Sequence, residues 1–409
     1  MLDQLVKSEY MREDMLESPM GPYLEALASR LLQLGYSRTQ SRKIVRTATF
    51  LGLWLADRGL TPAEAGNAEL REYMATHRRT PRGRLSDGAV GLTRLPALLA
   101  PDGVLAKPDP SLPGDACLGR FTHYLTHVRG ATPSTDSHYR RILRPFVSGL
   151  CLQEEPEWAR LTAEYVTDFV IKQTMVARAE KGRIVSAVRT FLHFLTAEGV
   201  VPRQLVRAIP RIRRWKYADL PKRLSADQLA VVLKACQSKE YGSLRDRAFI
   251  ALLARLGVRP GELKALRLDD IDWTLGLVHI RQSKTGRGRS LPLPADAGEL
   301  LVEYIREERA DTAYREVFLT SVTPRHPIGE GVPTTFVKIF LRKLNLDGPG
   351  RGAHSFRHTA ASLMVENGAT LKEVADVLGH RALSTTGIYV KLDKPSLLEV
   401  AMPWKGGKV

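Results

Sequence analysis

Between positions 259 and 389 the chain carries a series of side chains suited to work on a phosphate ester. Arg259 sits in GVRPGEL, with Glu262 three residues on. Lys284 follows in SKTGRG, His354 and Arg357 form H-x-x-R in AHSFRHTAA, His380 closes LGH, and Tyr389 lies nine residues beyond it. A guanidinium fork binds phosphate oxygens in pairs and keeps its charge at any physiological pH. Imidazoles and a lysine amine move protons, and a phenol can act as a nucleophile. Taken one at a time, each residue has an ordinary reading. A tyrosine packs, a histidine is satisfied locally, and an arginine at a helix start is solvated. Lys284 sits with Arg281, Arg287 and Arg289 in what could be a merely basic turn. Order and spacing, taken jointly, set the group apart.

In order, spacing and local context the set resembles the catalytic residues of the tyrosine recombinase (phage integrase) family. The resemblance is strong over residues 225–392 and looser over 116–220, and residues 1–100 carry no signature of that family. It implies site-specific DNA strand exchange, by an integrase or transposition recombinase of a mobile genetic element. Tyr389 would be the nucleophile and leave a covalent 3′-phosphotyrosine, which stores the bond energy for rejoining. Arg259 and Arg357 would clamp the phosphate, His354 would act as general base or orienter, and His380 would add a hydrogen bond. Lys284 would protonate the leaving 5′-oxygen, and Glu262 would orient Arg259. His358 and Arg381 would have supporting or phosphate-contact roles. The expected partner is a double-stranded recombination site held by a homotetramer on two duplexes, with related recombinases or DNA-bending proteins as further partners. No metal and no cofactor is expected, since no Asp/Glu/His cluster with ligand spacing accompanies the motif. Two alternatives stay open: a type IB topoisomerase-like enzyme, and a DNA-binding regulator of the same fold.

Charge points the same way. The 409 residues include 61 Lys and Arg against 44 Asp and Glu, a net charge of +17 with a pI near 9.9. Such a surface suits a polyanion. The excess is small over residues 1–110 and is carried mostly by the remainder. Composition is that of a globular protein, with 44% apolar and 26% charged residues. No apolar stretch has the length of a membrane span, and the acidic start MLDQLVKSEYMREDMLE does not read as a signal peptide. Three dispersed cysteines make no disulfide framework, and a cytoplasmic location with the DNA is expected.

The elements that must position these residues read as mainly α, with a small antiparallel β-sheet. Residues 1–105 are expected to form an extra N-terminal helical domain, touching DNA or a neighbouring protomer, and 116–205 a helical core-binding domain. Residues 206–224 form a basic linker in which Arg211, Arg213, Arg214 and Lys216 are candidates for the phosphate backbone. Residues 225–392 form an α-rich catalytic domain of the tyrosine recombinase type, and 393–409 a tail that could dock on another protomer. Within the catalytic domain, Ser225–Gln228 and Thr370–Glu373 are capping boxes, and Gly257 stops a helix rich in apolar residues. Pro260 suits a first helical position with Arg259 as N-cap. LGLVHIRQSKTGRGRSLPL reads as a hairpin carrying Lys284 around its turn, with Arg281, Arg287 and Arg289 as further candidates for contact with DNA. Ser384 is placed as the cap of a last short helix bearing Tyr389. His123 and His127, four residues apart on one helix, read as a surface pair.

Overall fold

A computed structural model describes residues 1–77, 94–107, 111–177, 180–210, 222–281, 288–348, 350–380 and 383–392. Lys284, Arg287, the linker cations Arg211, Arg213, Arg214 and Lys216, Arg381 and the tail from 393 lie outside these residues. The contacts of the chain divide it into two compact units. One comprises Met1–Arg12, Glu25–Val45 and Tyr217–Val409, the other Glu13–Leu24 and Arg46–Lys216.

Toward the N-terminus lie α1 (Leu2–Leu5), α2 (Glu9–Glu17), α3 (Gly21–Gln33), α4 (Arg38–Ala56), α5 (Asn67–His77) and α6 (Leu95–Leu99). Helices α3 and α4 bury apolar residues at three-and-four spacing, Leu24, Leu27, Ala28 and Leu31 in the first and Ile44, Ala48, Leu51 and Leu55 in the second. Each is followed by a glycine in the left-handed region, Gly35 (φ 81°) and Gly59 (φ 68°), which ends a helix without the Cβ clash other residues meet there.

Residues 115–210 hold α7 (Asp115–His123), α8 (Pro133–Ser148), α9 (Ala163–Val176) and α10 (Lys181–Ala197). Thr132 caps α8 by accepting from the Thr135 N–H, with Pro133 at the first helical position, where its missing donor costs nothing. Thr162 caps α9 in the same way. The apolar faces meet in a core built on Phe121, Phe146 and Phe191. Phe121 and Phe191 pack edge to face at 5.1 Å, the arrangement the ring quadrupoles prefer. Full burial of each ring contributes roughly 1.5–3 kcal/mol relative to exposure. His123 and His127 stack at 4.2 Å on the exposed side.

Residues 222–392 begin with α11 (Ala226–Cys236), α12 (Leu244–Leu256) and the short α13 (Pro260–Lys264). Both parts of the Ser225–Gln228 capping box form. Residues Ala248–Ala254 of α12 are buried without interruption, so this helix is the axis of the core rather than a surface helix with one apolar stripe. It ends at Gly257 (φ 61°), where an added Cβ would stand 2.7 Å from that of Ala360. The sheet has three strands, β1 (Ile271–Asp272), β2 (Leu277–Ile280) and β3 (Arg289–Pro292), antiparallel in that order. The sequence pattern indicated β2 and β3. The two-residue β1 is too short to show a period of two. In β2, Val278 and Ile280 face the core, while exposed His279 bonds Ser290 across the strands through Nδ1 at 2.8 Å. The chain continues through α14 (Ala295–Glu303), α15 (Val332–Lys343), α16 (Ala353–Glu366), α17 (Leu371–Leu378) and α18 (Leu383–Thr386). The Thr370–Glu373 capping box opens α17 as its spacing indicates. The expectation for Ser384 needs correction: it lies inside α18, and Tyr389 follows on a separate 3-10 turn, Gly387–Leu392.

Candidate active site

Helix ends position the site. Arg259 is the N-cap of α13, with extended backbone (φ −69°, ψ 143°) ahead of Pro260. Its own N–H donates to Glu262 Oε2 at 3.0 Å, and its guanidinium donates to Glu262 Oε1 at 2.7 Å. Glu262 therefore holds both the backbone and the side chain of Arg259. The Glu262 side chain is 3% exposed and that of Arg259 is 22% exposed. The carboxylate is anchored within the protein while the cation keeps a face to solvent.

Arg289, counted from sequence among DNA-facing arginines, sits otherwise. Its side chain is 9% exposed, and it donates to Glu262 Oε2 at 3.0 Å and to the Val377 carbonyl at 2.6 Å. Burial pushes the Glu262 carboxyl up, but the bonds from Arg289 and from the Arg259 backbone outweigh it and hold the group below its ordinary value. Arg281 is half exposed and bonds the buried Asp270 through Nε at 2.6 Å. Arg259, Glu262, Asp270, His279, Arg281 and His354 line a cleft of about 390 Å³.

Helix α16 brings His354, Arg357 and His358 to the site within its first two turns. Arg357 is buried and donates to the carbonyls of Gly257 at 3.1 Å and Leu378 at 2.6 Å. Those two carbonyls end α12 and α17, so one guanidinium ties three helices together where helix dipoles favour a cation. Burial first, and then repulsion from Arg259, push its pKa down to about 10, which leaves it charged at neutral pH. His354 is exposed at the cleft. Burial and then the guanidiniums of Arg357 and Arg259 hold its imidazole below the usual range; because the ring meets solvent, the two cations are the firmer cause.

Tyr389 is 1% exposed, and its hydroxyl lies 2.8 Å from His358 Nδ1. Sequence reasoning gave the neighbouring position to His354 and a supporting role to His358. The structure instead sets His358, one helical turn beyond His354, against the phenol. Burial pushes the Tyr389 pKa up to about 12, and the attraction of Arg357 and Arg259 for a phenolate offsets only part of this. His358 is held below the usual range by burial, then by His354 and Arg357, so it is neutral at pH 7 and can accept a proton. His380, just after α17, is buried, with Nδ1 2.7 Å from the hydroxyl of buried Thr386. Burial and then Arg357, Arg259 and Arg289 push it down to about 4. Thr386 escaped the sequence reading because a threonine one turn before a tyrosine carries no distinctive pattern.

Comparison with known proteins places this geometry in a family. Residues 222–395 match the Phage integrase family model. Two putative integrase/recombinases of Sinorhizobium fredii are 33% and 34% identical over 95% of this chain, and over 96% and 92% of their own length. The tyrosine recombinase XerD of Halalkalibacterium halodurans is 29% identical over 69% of this chain and 95% of its own. Among solved structures, XerH recombinase bound to its difH substrate superposes with a TM-score of 0.52 at 20% identity, covering 82% of this chain and 94% of that one. A lambda integrase dimer on a core site gives 0.52 at 20%, covering 81% and 94%; at such identities the likeness speaks for the fold alone. With relatives above 30% identity over nearly the whole chain, a matching family model and the fold of solved site-specific recombinases, the chain belongs to the phage integrase family and is a tyrosine-type site-specific recombinase.

Proposed function

We propose that this recombinase cuts and rejoins double-stranded DNA through a 3′-phosphotyrosine at Tyr389, as a tetramer on two duplexes. The single observation that carries the reading is the Tyr389 hydroxyl hydrogen-bonded to a neutral imidazole within the field of Arg259 and Arg357. In the proposed step the phenolic oxygen attacks phosphorus in line and the bond from phosphorus to the 5′-oxygen breaks. The phenolic proton passes to an imidazole, and the 2.8 Å contact favours His358 over His354. Arg259 and Arg357 neutralise the non-bridging oxygens, with His380 as a further donor. Lys284 gives the 5′-oxygen its proton. Rejoining reverses each transfer, so neither an external energy source nor a metal is invoked.

The basic linker, with Arg211, Arg213, Arg214 and Lys216, is proposed to follow the phosphate backbone, and the exposed Arg281 to meet it beside the cleft. Residues 1–105 would extend the footprint or contact a second protomer, and the 393–409 tail would join protomers. Solved structures of like fold, among them XerH recombinase bound to its difH substrate and a lambda integrase dimer bound to a core site, support DNA as partner.

The test begins with the DNA sequence that the full-length protein selects from a randomised pool. Two distinguishable duplexes carrying it are incubated with the protein in excess chelator. Joint products containing one arm from each duplex are expected. Relaxation of supercoiled DNA without joint products would favour the topoisomerase reading, and binding without either would favour the regulator. Activity restored only by a divalent cation would refute the metal-free mechanism.

A further inference from the structure

Arg289 opens β3, a few residues beyond the position of Lys284. It is nearly enclosed and reaches two other parts of the site. One is the Glu262 carboxylate, which accepts from it at 3.0 and 3.5 Å. The other is the Val377 carbonyl, at 2.6 Å. Glu262 on the same two oxygens holds Arg259. Val377 immediately precedes Leu378, whose carbonyl holds Arg357, and lies three residues before His380. Strand β3, the anchor of the first proposed phosphate-binding arginine and the helix leading to His380 therefore converge on one guanidinium.

A carboxylate buried this deeply is stable as an anion only while it is paired and hydrogen-bonded. Arg259 could serve as its sole counter-ion. It would then turn inward toward Glu262, where a second cation now carries part of that work and leaves Arg259 a face to solvent. A lysine in place of Arg289 would supply charge but not the fork that spans Glu262 and the Val377 carbonyl together. We infer that Arg289 is a positioning residue for strand cleavage: by sharing Glu262 it frees Arg259 to face the phosphate, and by holding Val377 it sets the approach of His380. It acts through these neighbours and not by touching DNA. The inference rests on the proposed role of Arg259, so the test includes that residue.

Single-turnover cleavage is measured on a nicked duplex carrying the selected sequence, together with DNA affinity and thermal midpoint. The proteins compared are wild type, R289Q, R289K, E262Q, the R289Q/E262Q double variant and R259A. R289Q is expected to lose about 100-fold in cleavage rate, the scale of an ångström-sized misplacement, with affinity unchanged within about twofold. R289K should recover only part of the rate. The double variant should be no slower than about threefold below the slower single, because both act through Arg259. Should R289Q fail to fold, R289K carries the same comparison, since it retains the charge. Affinity falling in step with rate would make Arg289 a phosphate contact and overturn the inference. So would multiplicative losses in the double variant, or wild-type cleavage by R289K. Normal cleavage by R259A would instead overturn the phosphate-clamp reading on which the inference rests.

Discussion

Residues 115–210 and residues 222–392 both hold helices packed on apolar cores, yet they are filled differently. In the first, Thr174 is the one buried polar side chain among the described residues. In the second, Arg245, Arg247, Asp270, Ser355, Arg357, Thr359, Ser362, His380 and Thr386 are all buried. A charge removed from water is tolerated only with partners in place, so each of these groups constrains the backbone around it. The first body needs volume and apolar faces. The second needs particular atoms at particular places. Burial alone does not mark chemistry, however. Arg245 bonds Asp246 and the Leu319 carbonyl, Arg247 bonds the Cys236 carbonyl, and both serve the fold. Arg357 also bonds two carbonyls, but it does so within the field of Tyr389 and His380.

The contrast is sharpest in paired substitutions. Arg357→Met should lower single-turnover cleavage by about a thousandfold, on the scale of losing a fixed transition-state donor. Phe191→Ala should do the reverse. Its fully buried ring leaves a cavity costing about 3–5 kcal/mol of stability, while cleavage per folded molecule stays near wild type. Denaturant midpoints and active-site titration separate the two effects. A large catalytic loss in folded Phe191→Ala would break the distinction.

Acid should weaken the charged interior selectively. His380 has a native pKa near 4 against an ordinary 6.5. Between those values the unfolded chain binds a proton at this ring that the folded protein does not. The contribution is therefore complete above about pH 6.5 and is lost as pH falls toward 4. The urea midpoint should fall from neutral pH to pH about 5 more steeply for wild type than for His380→Asn. Equal slopes would remove His380 from the account of acid sensitivity. The smallest effect is expected at the surface. Arg255 and Asp296 pair at 2.5 Å with both side chains over one-third exposed, and Arg255→Ala should leave the midpoint within error.

The two bodies also differ in how legible they were. Apolar spacing, Thr and Ser caps and terminal glycines locate most helices in both, because those signals are local. The proposed catalytic residues could be read as a series, because Arg259, His354, Arg357, His380 and Tyr389 each sit in a short distinctive context. Their partners were not. Arg289 meets Glu262 from 27 residues away and Val377 from 88, and His358 meets Tyr389 from 31. Such pairings depend on where α16, α17 and β3 cross, which no local pattern states. The same holds for Tyr389 on a 3-10 turn rather than on α18, since burial of its ring against α16 overrides the helical start near Ser384.

The central claim, that Tyr389 is the residue joined to DNA, is tested most directly by trapping the protein on a nicked duplex of its selected sequence and sequencing the linked peptide by mass spectrometry. The account predicts one adduct, through the 3′-phosphate, at Tyr389, and its complete loss in Tyr389→Phe with DNA affinity retained. An adduct at another residue, a 5′ linkage, or cleavage that persists in Tyr389→Phe would contradict it.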